Sequence, residues 1–205
     1  MTLLYAEVRD MNAHDLLTVS DPETRSRALA CRRPGRGLEI ALGRYLARVL
    51  AAEYAGIEPG QVTLCHDPAG KPYFADSSLH VSISRSDGMA LALAEPHKAV
   101  CDLQGIRRFP GQAVRGFFSA GEYETISASP EPDRIMTRLF CRRECLVKWL
   151  GSRPGNAGWD AEMLRQQAAP DAVFFETELS GRLVCVLGPA ESVRFVRMTK
   201  IGGDS

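Results

Sequence analysis

His80-Val81-Ser82-Ile83-Ser84-Arg85-Ser86-Asp87-Gly88-Met89-Ala90-Leu91-Ala92-Leu93-Ala94, followed shortly by Ala99-Val100-Cys101-Asp102-Leu103-Gln104, contains three strand-like runs at 81–84, 89–94 and 99–103. Each is too short and too continuously apolar for a surface helix. Upstream, Leu38, Leu42, Tyr45, Leu46, Val49 and Leu50 recur at helical spacing over 38–55. The order then repeats. Met136, Leu139, Phe140, Leu146, Val147 and Leu150 mark a helix over 136–150, and strand-like runs follow at 173–179, 182–187 and 192–198, with Ser180-Gly181 as a hairpin turn. Two helix-plus-meander halves predict an α+β fold of two similar lobes, 1–104 and 105–205, packed against each other.

Two segments carry chemistry. The run ending in Asp102-Leu103-Gln104 reads as a buried strand closing on an acid, and Phe140-Cys141-Arg142-Arg143-Glu144-Cys145-Leu146-Val147-Lys148 reads as a helix with Glu144 and Lys148 on one face. Two carboxylates and an amide oxygen suit a hard ion such as Mg2+, and a nearby lysine can meet a phosphate oxygen. Alone, either segment is as readily a strand-end turn former or a solvated helix pair.

Further blocks precede and separate them: Gly70-Lys71-Pro72-Tyr73-Phe74, then Leu79 to Gly88, and Phe118-Ser119-Ala120-Gly121-Glu122-Tyr123 ahead of the Glu144 helix. In this order the chain resembles the 4'-phosphopantetheinyl transferases of the surfactin-synthetase-activating type. Those have a GKPY-like turn, an S-x-S-H-S strand, a G-(V/I)-D-(I/L)-E strand, an F-S-x-x-E-Y block and a W-x-x-K-E-x-x-x-K helix. The motif support covers about residues 70 to 150. Arg85 stands for the usual His, Gln104 for a second acid, Phe140 for Trp, Arg143 for Lys and Ala99 for Gly.

The resemblance implies that the two helix-plus-antiparallel-meander lobes are related by a pseudo-twofold axis with a ligand cleft between them, and it implies Mg2+ on Asp102, Gln104 and Glu144, with coenzyme A as co-substrate held by Lys71, Ser84, Arg85, Arg143 and Lys148. Glu144 and Lys148 would be catalytic, the first toward the proton of the attacking serine and the second toward the phosphate oxygens. The acceptor would be a serine of an apo acyl or peptidyl carrier protein in fatty acid, polyketide or nonribosomal peptide synthesis, and the other product 3',5'-ADP. The substitutions leave open a repurposed member that binds coenzyme A or a carrier protein without transfer. The order of blocks also leaves open a chance match on a generic α+β domain.

Composition agrees with a compact enzyme. The 205 residues carry 25 basic and 25 acidic side chains, and this neutrality argues against a general nucleic-acid binder. No apolar run spans a bilayer, and Met1 to Glu7 reads as a strand with no basic leader, so a cytoplasmic monomer is expected. Cys31, Cys65, Cys101, Cys141, Cys145 and Cys185 form no CxxC pair and are expected to stay reduced.

Arginine outnumbers lysine 21 to 4, yet Lys71 and Lys148 both fall at motif positions. Between Arg25 and Arg48 seven arginines accompany one acid, Glu39. That stretch reads either as a solvated basic face or as a patch for a phosphate or an acidic partner. The resembled family tends to carry arginine near Glu39. The segment 105–116 reads as a linker, 130–133 as an exposed loop with Asp133 a candidate helix cap, and 151–171 as loop-rich.

Overall fold

The computed structural model describes residues 1–108, 117–151, 160–189 and 192–201. Along the chain run β1 (Thr2–Glu7), α1 (Ala13–Val19), α2 (Pro22–Leu29), α3 (Pro34–Ala55), β2 (Leu64–His66), β3 (Pro72–Phe74), β4 (His80–Ser86), β5 (Met89–Glu95) and β6 (Val100–Gly105). Then come α4 (Ala120–Ala128), α5 (Pro132–Leu150), α6 (Ala161–Ala168), β7 (Ala172–Leu179), β8 (Arg182–Pro189) and β9 (Arg194–Arg197). The expected α+β class holds. Among the described residues no helix is long and apolar enough to cross a membrane.

Strand pairing does not follow the division into halves at residue 104. One sheet has the order β4-β5-β1-β9 and another β6-β8-β7, with β2-β3 a separate hairpin. Thus β6 leaves its sequence neighbours to pair with β8, and β9 returns to lie parallel to β1. The two larger sheets pack face to face through Leu3, Leu91 and Leu93 against Leu103, Val184 and Val186. Helix α3 covers the outer face of the first sheet with Leu42, Leu46 and Leu50, and α5 covers that of the second with Cys145 and Leu146. Four layers result, two sheets between two helices.

Several local expectations change. Helix α5 begins at Pro132, with Glu131 rather than Asp133 at the N-cap position; Asp133 lies in the first turn, where an acid suits the helix dipole. The expected loop 151–171 contains α6, started by Asp160 accepting from the amides of Glu162 and Met163, and Ala161 and Leu164 join the α5 core. Residues 109–116 of the expected linker and 152–159 of that loop lie outside the described residues. Helices α1 and α2 escape the periodicity reading because they are short. Asn12 and Asp21 cap them. The Phe-Ser-x-x-Glu-Tyr block is a helix start, with Ser119 and Glu122 forming a reciprocal capping box.

At one corner the sheets meet through side chains. The hydroxyls of Ser82, Ser84 and Ser86, alternate residues on one face of β4, accept from the amides of Cys101, Leu103 and Gly105 at 3.1, 3.0 and 3.1 Å. A row of hydroxyls thereby satisfies the β6 amides on the side away from β8. The β4–β5 turn, with Asp87 and Gly88 at φ 50° and 78°, closes the corner. A Cβ on Gly105 would overlap the Asp87 carboxylate, which would have to swing aside to admit one. Ser84→Ala removes the acceptor of the buried Leu103 amide and a donor to Asp102, so denaturant unfolding should show a loss of about 1–3 kcal/mol.

Candidate active site

A cleft of about 350 Å³ opens where α3, the β2–β3 hairpin, β4 and α5 converge. Its wall includes Arg27, Arg44, Lys71, Arg85 and Lys148, with Asp67 the acid among its lining residues. Such a surface attracts anions.

Each cation is placed differently. Lys71 sits at the tip of the β2–β3 hairpin, where Asp67 accepts from its amide at 2.8 Å, and its exposed ammonium has no partner among the described residues. Arg85 is half-buried on the cleft-facing side of β4; burial and the neighbouring Arg36 push its pKa down, while Glu39 opposes them. Arg44 is 3% exposed. It donates to the Leu64 carbonyl at 2.9 Å and to the His66 ring at 3.0 Å, tying α3 to β2.

The arginine-rich stretch is neither wholly solvated nor wholly a patch. Arg48 is buried and donates to the Pro59 and Val19 carbonyls. Arg25 binds the Leu17 and Thr18 carbonyls at the end of α1. Arg27 and Arg44 reach the cleft.

His66 lies among these cations, so burial, Arg44 and Arg27 together depress its pKa. A depressed histidine favours the neutral ring in the folded state. Its contribution to stability is fully present above the unfolded value of 6.5 and is lost as the pH falls through the lower folded value. His66→Gln should therefore flatten the fall in thermal midpoint between about pH 7 and pH 5. Part of the slope should persist, because His80 is depressed by burial, Lys71, Lys98 and His97.

Asp102 is buried where β6 passes beneath α5. Its Oδ1 accepts from Ser84 Oγ and from Lys148 Nζ, each at 2.8 Å. Its Oδ2 is buried without a hydrogen-bond partner. Lys148 also reaches the Cys101 carbonyl at 2.7 Å and the Ile83 carbonyl at 3.4 Å, which accounts for all three ammonium donors. Burial alone would lower the lysine's pKa, but the carboxylate of Asp102 together with the neighbouring Cys101 and Cys145 raises it above the ordinary lysine value. Gln104 lies two residues along β6 from Asp102, half-buried on the same face, and Glu144 lies half-buried one turn before Lys148 on α5.

An unpartnered buried carboxylate oxygen with a second acid on the covering helix is a donor set that fits a hard cation. Among the described residues no group of three or more His, Cys, Asp or Glu side chains forms a metal site, so the fit rests on two carboxylates and an amide.

The structure therefore brings Lys71, Arg85 and Lys148 to one cleft and joins Lys148 to Asp102. It places two of the expected cofactor contacts elsewhere. Ser84, 6% exposed, belongs to the hydroxyl row and to Asp102. Arg143, 2% exposed, pairs with Glu122 and lies against the rings of Phe117 and Phe118. The sequence reading missed His66 as a cleft residue, although it stands four positions before Gly70, and named Arg44 only as one of seven arginines in a possible phosphate patch.

The thiols stay out of this chemistry. Cys101, Cys141, Cys145 and Cys185 are buried, Cys31 and Cys65 half-buried, and burial pushes Cys101 up to about 12 and Cys141 and Cys185 higher than usual.

No protein-family model matches the chain. It is similar to the 4'-phosphopantetheinyl transferase HetI of Nostoc sp., 27% identical over an alignment of 146 residues that covers 67% of this chain and 62% of HetI. The chain therefore matches less than two thirds of the relative's length. This likeness supports, at the level of the superfamily, the resemblance to phosphopantetheinyl transferases carried by the motif blocks.

Proposed function

We propose that this chain transfers the 4'-phosphopantetheine group of coenzyme A to a serine of an apo acyl or peptidyl carrier protein and releases 3',5'-ADP, as the surfactin-synthetase-activating type does. The observation that carries the reading is the single cleft whose cationic wall of Arg44, Lys71 and Arg85 continues through Lys148 to Asp102. A nucleotide with several phosphates matches that charge. The likeness to a transferase of this name supports the chemistry.

In this reading Lys71, Arg85 and Arg44 bind the phosphates of the nucleotide end. Asp102, Glu144 and Gln104 would hold Mg2+, which when bound neutralises pyrophosphate charge. Glu144 takes the proton of the carrier serine as its oxygen forms the new bond to phosphorus, and the bond from that phosphorus to the oxygen of the 3',5'-ADP leaving group breaks. Lys148 acts chiefly on Asp102, by holding its Oδ1. The protein supplies no nucleophile of its own, and none is needed.

The Lys148–Asp102 ion pair also favours a second reading, in which coenzyme A or a carrier protein is bound without transfer because the lysine's donors are already engaged. Incubation with coenzyme A, Mg2+ and an apo carrier protein, followed by intact mass of the carrier, separates the two. A carrier heavier by one phosphopantetheine establishes transfer. Binding of coenzyme A or of the apo carrier protein by calorimetry with no mass gain establishes the second reading, and binding of neither rejects both.

A further inference from the structure

Glu39 is an acid on the wall side of a cation-lined cleft, which by simple Coulomb reasoning should weaken anion binding. Its contacts give it another task. One carboxylate oxygen accepts from the Gly88 amide at 2.7 Å, and the other pairs with Arg36 at 2.6 Å. Gly88 is in the turn that follows Arg85 by two residues. The same turn is held by Val8, whose amide donates to the Gly88 carbonyl at 2.7 Å, by Ser86 donating to Asp87 Oδ2 at 3.1 Å, and by Arg182 donating to the Asp87 carbonyl. Arg36 also touches the Arg85 carbonyl at 3.2 Å, an exposed contact.

The Arg36 guanidinium thus lies against the Arg85 backbone, and its charge and that of Arg27 both disfavour the Arg85 cation, an effect that the Glu39 carboxylate opposes. Glu39 is 7% exposed, so its charge acts through protein and is poorly screened.

We propose that Glu39 is a positioning residue for Arg85: it anchors the β4–β5 turn through Gly88 and neutralises Arg36, so that Arg85 keeps its place in the cleft wall. The inference rests on the cleft being the nucleotide site. It explains how an acid serves at a place where the resembled family tends toward arginine.

The positioning role and the Coulomb role predict opposite signs. Glu39→Gln keeps an oxygen for Gly88 but leaves Arg36 uncompensated beside Arg85. Calorimetry with coenzyme A should show binding weakened about fivefold or more, although a negative charge has been removed. Glu39→Gln with Arg36→Met removes the repulsion as well, and should bind more tightly than Glu39→Gln alone despite the loss of a cation. Equal or tighter binding by Glu39→Gln, or weaker binding by the double variant than by the single one, overturns the proposal.

A ligand-free readout keeps the proposal separate from the functional reading. The Arg85 Nε–H resonance should lose order in Glu39→Gln and regain it in the double variant, while the Gly88 amide stays protected from exchange in both and loses protection in Glu39→Ala. If the wild type binds no coenzyme A, the functional reading fails. An Arg85 signal unchanged in Glu39→Gln then overturns the positioning role by itself.

Discussion

Glu144→Gln is expected to lower transfer to an apo carrier protein by about 100-fold to 10,000-fold, the range associated with a positioned general base, while thermal unfolding stays close to that of the wild type. Glu144 is half-buried on α5 and Gln keeps its shape, so little packing is lost. Asp102→Asn should abolish transfer to a similar degree but must also cost stability. It removes the negative partner of Lys148, an ion pair of 2.8 Å whose side chains are only 28% and 8% exposed, and breaking such a pair costs about 3 kcal/mol. The two substitutions are therefore told apart by urea unfolding and joined by intact mass of the carrier. Retained transfer in either variant would remove the proposed site. A stable Asp102→Asn protein would show that the Lys148 pair is not what holds β6 to α5.

What the sequence made legible is what local pattern controls. Helices α3 and α5 and strands β4, β5, β7 and β8 follow from periodicity and from turns such as Ser180-Gly181, whose φ values of 49° and 76° suit a tight hairpin. The pairing of β6 with β8 and of β9 with β1 was not legible, because partners distant along the chain leave no mark in a strand's own alternation. The serines at 82, 84 and 86 show the same divide. Their spacing places them on one face, but only the approach of β6 turns that face into a row of acceptors, and so Ser84 was read as a nucleotide contact. In the cleft, Lys71, Arg85 and Lys148 were legible because motif order marked them. His66 was not, and Arg44 was marked only as a member of the arginine-rich stretch, since their meeting depends on how the β2–β3 hairpin folds back on α3.

Arg143 is the sharpest divergence, and its test has the largest expected effect on stability. The sequence assigns it to a phosphate because the resembled motif has lysine there. In the structure Glu122 Oε2 pairs with it, and Glu122 also caps α4 at Ser119 and accepts from the Ala161 amide at 3.2 Å. One carboxylate thereby joins the starts of α4 and α6 to the middle of α5, with Phe117 and Phe118 packed over the guanidinium at 5.2 Å. Glu122→Ala removes the Glu122 carboxylate from that buried guanidinium together with the bonds to the Ser119 and Ala161 amides, and should cost about 3–5 kcal/mol in urea unfolding. Replacing both residues with apolar groups, Arg143→Met with Glu122→Leu, should cost less than Glu122→Ala alone, because no uncompensated charge remains in the core. The capping bonds of Glu122 set a floor to that recovery, about 1 kcal/mol short of the wild type. Coenzyme A affinity, measured where each variant is folded, should change by less than about twofold, since a buried pair that does not line the cleft adds nothing to phosphate binding. A Glu122→Ala protein of normal stability whose coenzyme A binding falls tenfold would return Arg143 to the nucleotide site, and α5 would then present two motif cations to the ligand instead of one.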